Sequence, residues 1–475
     1  MDPRPDLVFS ILTLAVSLAA VVHAMLTKDD PKSAVGWSGF ILFVPWVGPV
    51  FYFFFGVNRI RRKARVVAAG RLRVARGGGR GEDMATLLAP PDAHLQRLAD
   101  LVGRVTRRPI LAGNDLTPLV DGEAAYPEML AAIAAAERSV ALSTYIFDRD
   151  VAGLQFAAAL AAAAKRGVAV RVLIDDAGAR YSFPSVVHRL RKSGVTTARF
   201  MRTFWPTALP YINLRNHRKL LVVDGRLGFT GGMNIRAGHL VQSAAKAKVR
   251  DLHFRVQGPI VEQLLHTFVE DWAFTTGEVL QGTAWQPDTR PAGVMPAREV
   301  VDGPDEHFET ISWALHGALA EARTSVRIVT PYFLPDPRLS TALNVAAMRG
   351  VAVDIIVPAD NNLWLVEWAM WPHFPELLAH GCRIWRGGPP FDHSKLMIVD
   401  DVWAFVGSSN WDPRSLRLNF EFNIEVYSRA FAARLDAIWQ AKFKDAQPVT
   451  AETLRRRPLA AKLRDRAAWM FSPYL

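Results

Sequence analysis

Cysteine is all but missing from this chain: Cys382 is the only one in 475 residues. That excludes an intrachain disulfide and any zinc site built on cysteine, and it fits a reducing compartment. Charge is missing where a bilayer would forbid it. From Leu7 to Leu26, and again from Val35 to Val57, there is no Asp, Glu, Lys or Arg; each run is long enough to cross a hydrocarbon core of about 30 Å as a helix. Acid is missing from the stretch that follows. Arg59, Arg61, Arg62, Lys63, Arg65, Arg71, Arg73, Arg76 and Arg80 stand without an acidic neighbour between 59 and 80. The marks of a removed signal peptide are missing too: the start, MDPRPD, is not a basic one and no small-residue cleavage site follows the first run.

The connector TKDDPKSA is short, so residues 1–60 read as a transmembrane helical hairpin whose ends emerge on the same side. Pro45 and Pro49 are either tolerated in the second helix or mark a re-entrant bend. By the positive-inside rule the basic juxtamembrane linker, 61–110, lies in the cytosol. The expectation is a multi-pass protein of the cell inner (plasma) membrane with its catalytic domain on the cytosolic side. A formal charge of +12 and a pI of about 10.0 call for a polyanionic partner. A basic cluster beside a membrane segment favours anionic membrane lipids over nucleic acid.

After the glycine-rich RGGGRG at 76–81, read as a flexible joint, the chain repeats itself. Residues 137–176, ERSVALSTYIFDRDVAGLQFAAALAAAAKRGVAVRVLIDD, match 323–360, RTSVRIVTPYFLPDPRLSTALNVAAMRGVAVDIIVPAD, in order and kind. Each is a strand, a loop, an alanine-rich helix ending at Arg-Gly and a second strand. Each copy continues through another helix to a short β-rich piece, SGVTTARF or HGCRIW. The fold class expected is α/β, with a mostly parallel sheet covered on both faces. Two duplicated halves, 111–290 and 291–450, would pack about a pseudo-two-fold axis that brings equivalent positions together, ahead of a basic C-terminal tail, 451–475.

The repeat ends in NHRKLLVVDGRLGFTGGMN (216–234) and DHSKLMIVDDVWAFVGSSN (392–410). The copies share His217, Lys219, Asp224, Gly231 and Asn234 in one, and His393, Lys395, Asp400, Gly407 and Asn410 in the other. Period-two geometry puts each His and Lys on one face, where both can reach one anion. Five residue types at fixed spacing arise by accident in about one sequence in ten thousand; two occurrences at equivalent places in a repeat are not chance. The other ten histidines, of twelve, read as core or surface.

These are identified as the two HKD motifs of the phospholipase D superfamily. With the hairpin, FTGGMN, TPYFLPD and RSLRLNFEFNIEV, the chain resembles the bacterial cardiolipin synthase family over almost its whole length. Departures are small: Trp411 follows Asn410 where an aliphatic residue is commoner, and Gly232 stands where the second copy has Ser408, as is usual for this family. The resemblance implies a phosphatidyltransferase. His217 would form a phosphohistidine with phosphatidylglycerol, His393 would act as acid and then base, and a second phosphatidylglycerol would accept the group, releasing glycerol. Lys219, Lys395, Asn234 and Asn410 would hold the phosphate, with no metal and no cofactor. Asp224 and Asp400 count as motif residues but would be mainly structural. An imidazole nucleophile needs a group to fix its tautomer. The resemblance assigns Asp251 to His393 and Glu421 to His217, although on spacing alone both are equally well strand-edge carboxylates in surface pairs.

The same chemistry with water as acceptor gives a membrane-bound phospholipase D hydrolase or phosphodiesterase, and sequence separates the two poorly. A non-catalytic binder is disfavoured by two complete motifs. Oligomeric state and acyl-chain preference are not legible. NNLWLVEWAMWPHFPELL (361–378) reads as core or as a lining for acyl-chain access. RRRPLAAKLRDRAAWMFSPYL reads equally as a packed terminal helix or an interfacial amphipathic one.

Overall fold

The computed structural model describes residues 5–28, 31–56, 90–201, 214–243, 245, 247–303 and 309–472. The arginine-rich run 59–80 and the joint at 76–81 lie outside the described residues. Two compact units are present: Met1–Leu72 with Arg202–Asn213, and Arg73–Met201 with Leu214–Leu475.

In the first unit a helix spans Pro5–Thr27. Its Val8–Thr27 portion is the one helix, among the described residues, long and apolar enough to cross a membrane. Ile11, Leu12 and Leu14 are exposed along it. The second apolar run departs from expectation. It is helical over Pro31–Phe43, turns, and resumes over Gly48–Phe51 with a π-turn at Tyr52–Gly56. Pro45 has no N–H to donate and crowds the carbonyl four residues back, which stops a helix. At Gly48 the backbone folds so tightly that a Cβ would lie 2.6 Å from Ile41 Cα. The expected second continuous span is therefore a bent pair of short helices, packed on the first helix around Ala24, Ile41 and Tyr52.

Among the described residues of the second unit there are seventeen strands. They are β1 (Leu111–Val120), β2 (Ser139–Thr144), β3 (Ala169–Asp175), β4 (Thr196–Phe200), β5 (Leu220–Val223), β6 (Leu227–Gly231), β7 (Val249–Arg250), β8 (Leu252–Gln257) and β9 (Met295–Asp302). Next come β10 (Ser325–Val329), β11 (Ala352–Pro358), β12 (Arg383–Gly387), β13 (Phe391–Asp392), β14 (Leu396–Val399), β15 (Trp403–Gly407), β16 (Glu421–Tyr427) and β17 (Gln447–Pro448). Fifteen form one sheet in the order β17-β12-β11-β10-β14-β15-β16-β9-β1-β8-β6-β5-β2-β3-β4. Apart from β17, the order is palindromic about the β1–β9 seam, where Asn114 faces Met295. The halves thus share a sheet.

That sheet is not mostly parallel. Only β2-β3-β4 and β10-β11-β12 run parallel; the remaining neighbours are antiparallel. Helical crossovers return the chain in its original direction, but the tight turns after Val223 and Val399 can only reverse it. The repeated helices, Val151–Lys165 and Pro337–Met348, are capped alike. Asp150 accepts from Gly153 N at 3.0 Å and Asp336 from Leu339 N at 2.8 Å. Each ends at Arg-Gly, with Gly167 (φ +90°) and Gly350 (φ +92°) in the left-handed conformation a helix C-terminus favours. Arg166 and Arg349 reach back to carbonyls at the end of the preceding helix, Ile133 and Ala320 among them.

Both sheet faces are buried, which is why the motif strands read LLVV and LMIV rather than alternating. Leu396 and Ile398 belong to a core shared by both halves, while Met397 and Val399 enter the second half's own core. Helices Ile260–Thr276 and Arg429–Lys444 close the shared face.

Candidate active site

The motif histidines lie just before their strands, in extended segments held from the other half. His217 N–H donates to Phe420 C=O at 2.9 Å and His393 N–H to Arg250 C=O at 2.8 Å. The next residues along those acceptor segments are Glu421 and Asp251. Alternation sends the flanking side chains inward. Asn216 donates to Asp271 at 3.1 Å and Arg218 to the same carboxylate at 2.6 Å, on helix Ile260–Thr276. In the second copy Lys442, on the equivalent helix Arg429–Lys444, pairs with Asp392 and donates to Ser394 Oγ at 3.1 Å. Charge signs are exchanged but the arrangement is the same. Losing one partner of such a buried pair costs about 3–5 kcal/mol, so the histidine backbones are fixed.

His217 Nδ1 stands 3.1 Å from Glu421 Oε1, and His393 Nδ1 stands 2.8 Å from Asp251 Oδ2. Both carboxylates are fully buried. A carboxylate only accepts, so at His217 Nδ1 carries the proton and Nε2 is left toward the cleft; His393 Nδ1 meets Lys395 Nζ at 2.8 Å as well as Asp251. Burial lowers the pKa of His217 despite Glu421. Burial, then Lys395, Lys219 and His217, hold His393 well below 6.5. Burial alone would raise Glu421; His217 and Lys219 outweigh it and keep the carboxyl below its usual range. Asp251 is raised by burial, with Lys395 and His239 opposing.

Both histidines open on one cleft with an empty volume of about 1360 Å³, open solvent at its mouth included. Asn234 and Asn410 line it. Asn234 Oδ1 accepts from Ile146 N at 3.0 Å, which leaves the amide nitrogen as a donor. The motif lysines are buried beneath the lining, each donating to its own histidine carbonyl, Lys219 at 2.5 Å. An ammonium has three protons, so donors remain. Burial pulls Lys219 down to about 7 and Lys395 to about 8.

Asp224 and Asp400 are not in the cleft. Asp224 accepts from the amides of Glu137, Arg138 and Ser139, and Asp400 from those of Arg323, Thr324 and Ser325, at 2.7–3.3 Å. Each pins the start of a repeated strand to the end of its motif, and His94 adds a 3.1 Å contact to Asp400. The Gly232–Ser408 difference has a local cause. A Cβ on Gly232 would meet Asp251 Oδ1 at 2.1 Å, whereas Ser408 Oγ donates to Glu421 Oε2 at 2.5 Å.

Sequence reasoning passed over several cleft residues. Tyr145 packs on His217 with ring centroids 5.2 Å apart and Tyr332 on His393 at 5.9 Å. Their signal was a tyrosine after the first strand of each repeat. Arg215, Arg236, Asp412 and Arg414 also line the cleft. His239 does too, but its Nδ1 meets Val249 C=O at 3.2 Å and its Nε2 accepts from Asn234 N at 3.3 Å, so it braces an asparagine. Among the described residues no group of three or more His, Cys, Asp or Glu could hold a metal.

The family described as "Cardiolipin synthase, PLD-like domain" matches residues 129–272 and 315–442, and "Phospholipase_D-nuclease N-terminal" matches 15–56. The cardiolipin synthase of Alkalihalophilus pseudofirmus is 32% identical, covering 98% of this chain and 93% of its own. Cardiolipin synthase A of Pseudomonas entomophila is 33% identical over 97% and 96%. The phosphatidylserine synthase of Haemophilus influenzae superposes with a TM-score of 0.62 at 14% identity, over 80% of this chain and 100% of that one, a likeness of fold. With the first family on both halves of the sheet and relatives matched end to end, the chain belongs to the cardiolipin synthase family of phospholipase D-like proteins.

Proposed function

We propose that the cleft transfers a phosphatidyl group from one phosphatidylglycerol to another through a phosphohistidine on His217. Nε2 attacks phosphorus, the bond to the glycerol oxygen breaks, and His393 gives its proton to the departing alkoxide, so free glycerol leaves. His393, now neutral, takes a proton from the terminal hydroxyl of a second phosphatidylglycerol. That oxygen attacks phosphorus, the P–N bond breaks, and cardiolipin forms with His217 restored. Lys219, Lys395, Asn234 and Asn410 stabilise the equatorial oxygens, the usual largest contribution in such sites. Glu421 and Asp251 fix the tautomers. The bound phosphodiester offsets the two lysines that disfavour an imidazolium in the empty cleft, and this lets His393 hold its proton.

The observation that carries this reading is the pair of crossed His–carboxylate contacts, each joining a motif of one half to an acid of the other, around a single cleft. Purified protein in mixed micelles with labelled phosphatidylglycerol should yield cardiolipin and glycerol in equal amounts. Phosphatidic acid without cardiolipin would overturn transfer in favour of hydrolysis.

We also propose that both apolar runs sit in the plasma membrane, the second as a bent insertion, with the catalytic domain in the cytosol. The charge asymmetry at 59–80 supports this. A cysteine placed at Arg71 should resist an impermeant thiol reagent on intact cells; labelling there would overturn the orientation. We propose the same division for the whole chain: a membrane segment at 1–60, a basic linker at 61–110, halves at 111–290 and 291–450, and a basic tail at 451–475.

A further inference from the structure

Among the described residues, protein covers only one side of the helix Leu459–Trp469. Inward, Ala468 and Asp465 are buried against helix Trp364–Met370 and the turn after it. Two stacked cations clamp this contact: the Arg457 guanidinium lies 3.7 Å from the Trp371 ring centroid and that of Arg464 lies 4.3 Å from Trp368. Arg457 also pairs with Asp465. The tail is therefore a built part of the domain.

Outward, Leu459, Leu463 and Met470 fall on one stripe at helical spacing and are 71%, 63% and 73% exposed. Phe471 is exposed beside them. Across the clamp, Leu363 and Trp364 are exposed as well and line the mouth of the cleft. Arg466 lies on the same stripe and Lys462 beside it, both exposed, while Asp465, an acid of the same helix, is buried. A helix face that exposes apolar side chains with cations alone among its charges matches an anionic bilayer surface, where the cations meet headgroups and the apolar side chains meet acyl chains.

We propose that the outward face of helix Leu459–Trp469, with Leu363 and Trp364, is a membrane-docking surface that lies in the interface of an anionic bilayer and sets the cleft mouth at the level of the lipid headgroups. It rests on the lipid-transfer reading only for what the neighbouring cleft takes. The occupant is a lipid surface, because every charged residue exposed on this helix, Lys462, Arg464 and Arg466, is basic and stands beside exposed apolar side chains.

The test uses the full chain with Leu463→Cys or Met470→Cys, labelled with an environment-sensitive fluorophore. Cys382 is buried and its thiol pushed up to about 12 by burial, so the added cysteine takes the label. Reconstitution into vesicles containing phosphatidylglycerol should shift the emission to the blue and raise it several-fold, and doxyl-labelled phospholipid should quench it. A label at Lys165→Cys, on the repeated helix of the first half, should not respond. An unchanged aqueous spectrum on vesicles would overturn the proposal. So would a shift that appears in detergent with rising protein concentration and no lipid vesicle, which would give the face to a second copy. His217→Ala should leave the response intact, so loss of transfer activity and loss of docking are separable. Independently, Leu463→Glu with Met470→Glu should raise KM for vesicle-borne phosphatidylglycerol several-fold and leave turnover of a monomeric short-chain analogue unchanged; equal effects on both substrates would contradict docking.

Discussion

The carboxylate of Glu421 meets Nδ1 of His217 at 3.1 Å although 204 positions separate them in sequence. Asp251 and His393 repeat the relationship in the other direction. Neither half is a complete site: each contributes a histidine that the other orients.

Glu421→Gln and Asp251→Asn should leave the fold intact and lower kcat by about 10²–10⁴-fold, as expected when an imidazole loses the group that fixes its tautomer. KM should change little, because neither carboxylate faces the cleft. Steady-state kinetics checks this; a loss under tenfold for both variants would contradict the assigned positioning.

Gly232→Ser should be far more damaging than Ser408→Ala. A side chain at Gly232 would displace the Asp251 carboxylate and release His393, so its rate should fall toward that of Asp251→Asn. Ser408→Ala removes one of the hydrogen bonds to Glu421, worth about 1.5–3 kcal/mol when the acceptor is charged, but leaves the contact with His217. Parallel assays of the two variants decide it.

Asp224→Asn should destabilise the domain by about 2–4 kcal/mol, since an amide cannot accept from three backbone N–H groups as a carboxylate does. Folded enzyme should keep its activity within a few-fold. Denaturation in detergent, with activity per folded molecule, separates this from a chemical role.

Phosphate binding should weaken as pH rises through about 7 to 8. Burial holds the folded pKa of Lys219 near 7 and of Lys395 near 8, so each is charged below its own value and neutral above it. A water-soluble glycerophosphodiester keeps its charge over this range; its inhibition constant should rise as each lysine loses its proton. Lys219→Arg should remove the lower transition. Constant inhibition up to the ordinary lysine range would contradict the buried-lysine clamp.

Much of this was legible because duplication repeats local physics. The Arg-Gly helix ends and the two histidine motifs could be read by comparing one half of the chain with the other. Strand direction could not: helix–strand alternation is the same whether the next connection is a crossover or a hairpin, and the turns at Asp224 and Asp400 decide. Pro45 was visible, but its effect depends on how the chain folds back at Gly48. Tyr145 and Tyr332 were hidden because an aromatic after a strand usually packs in a core, and only the fold brings these two against the histidines. Arg236 and Asp412 follow Asn234 and Asn410 at equal distance with opposite charge, a difference that pattern matching discards.

The central claim is that His217 carries the covalent intermediate and His393 handles the proton. The most direct measurement is trapping with a radiolabelled phosphatidyl donor whose leaving group departs without a proton. The His393→Ala protein should accumulate an acid-labile, base-stable label that maps to His217, and the His217→Ala protein should accumulate none. Labelling of the His217→Ala protein, or a label on His393 in the unmodified enzyme, would contradict the account.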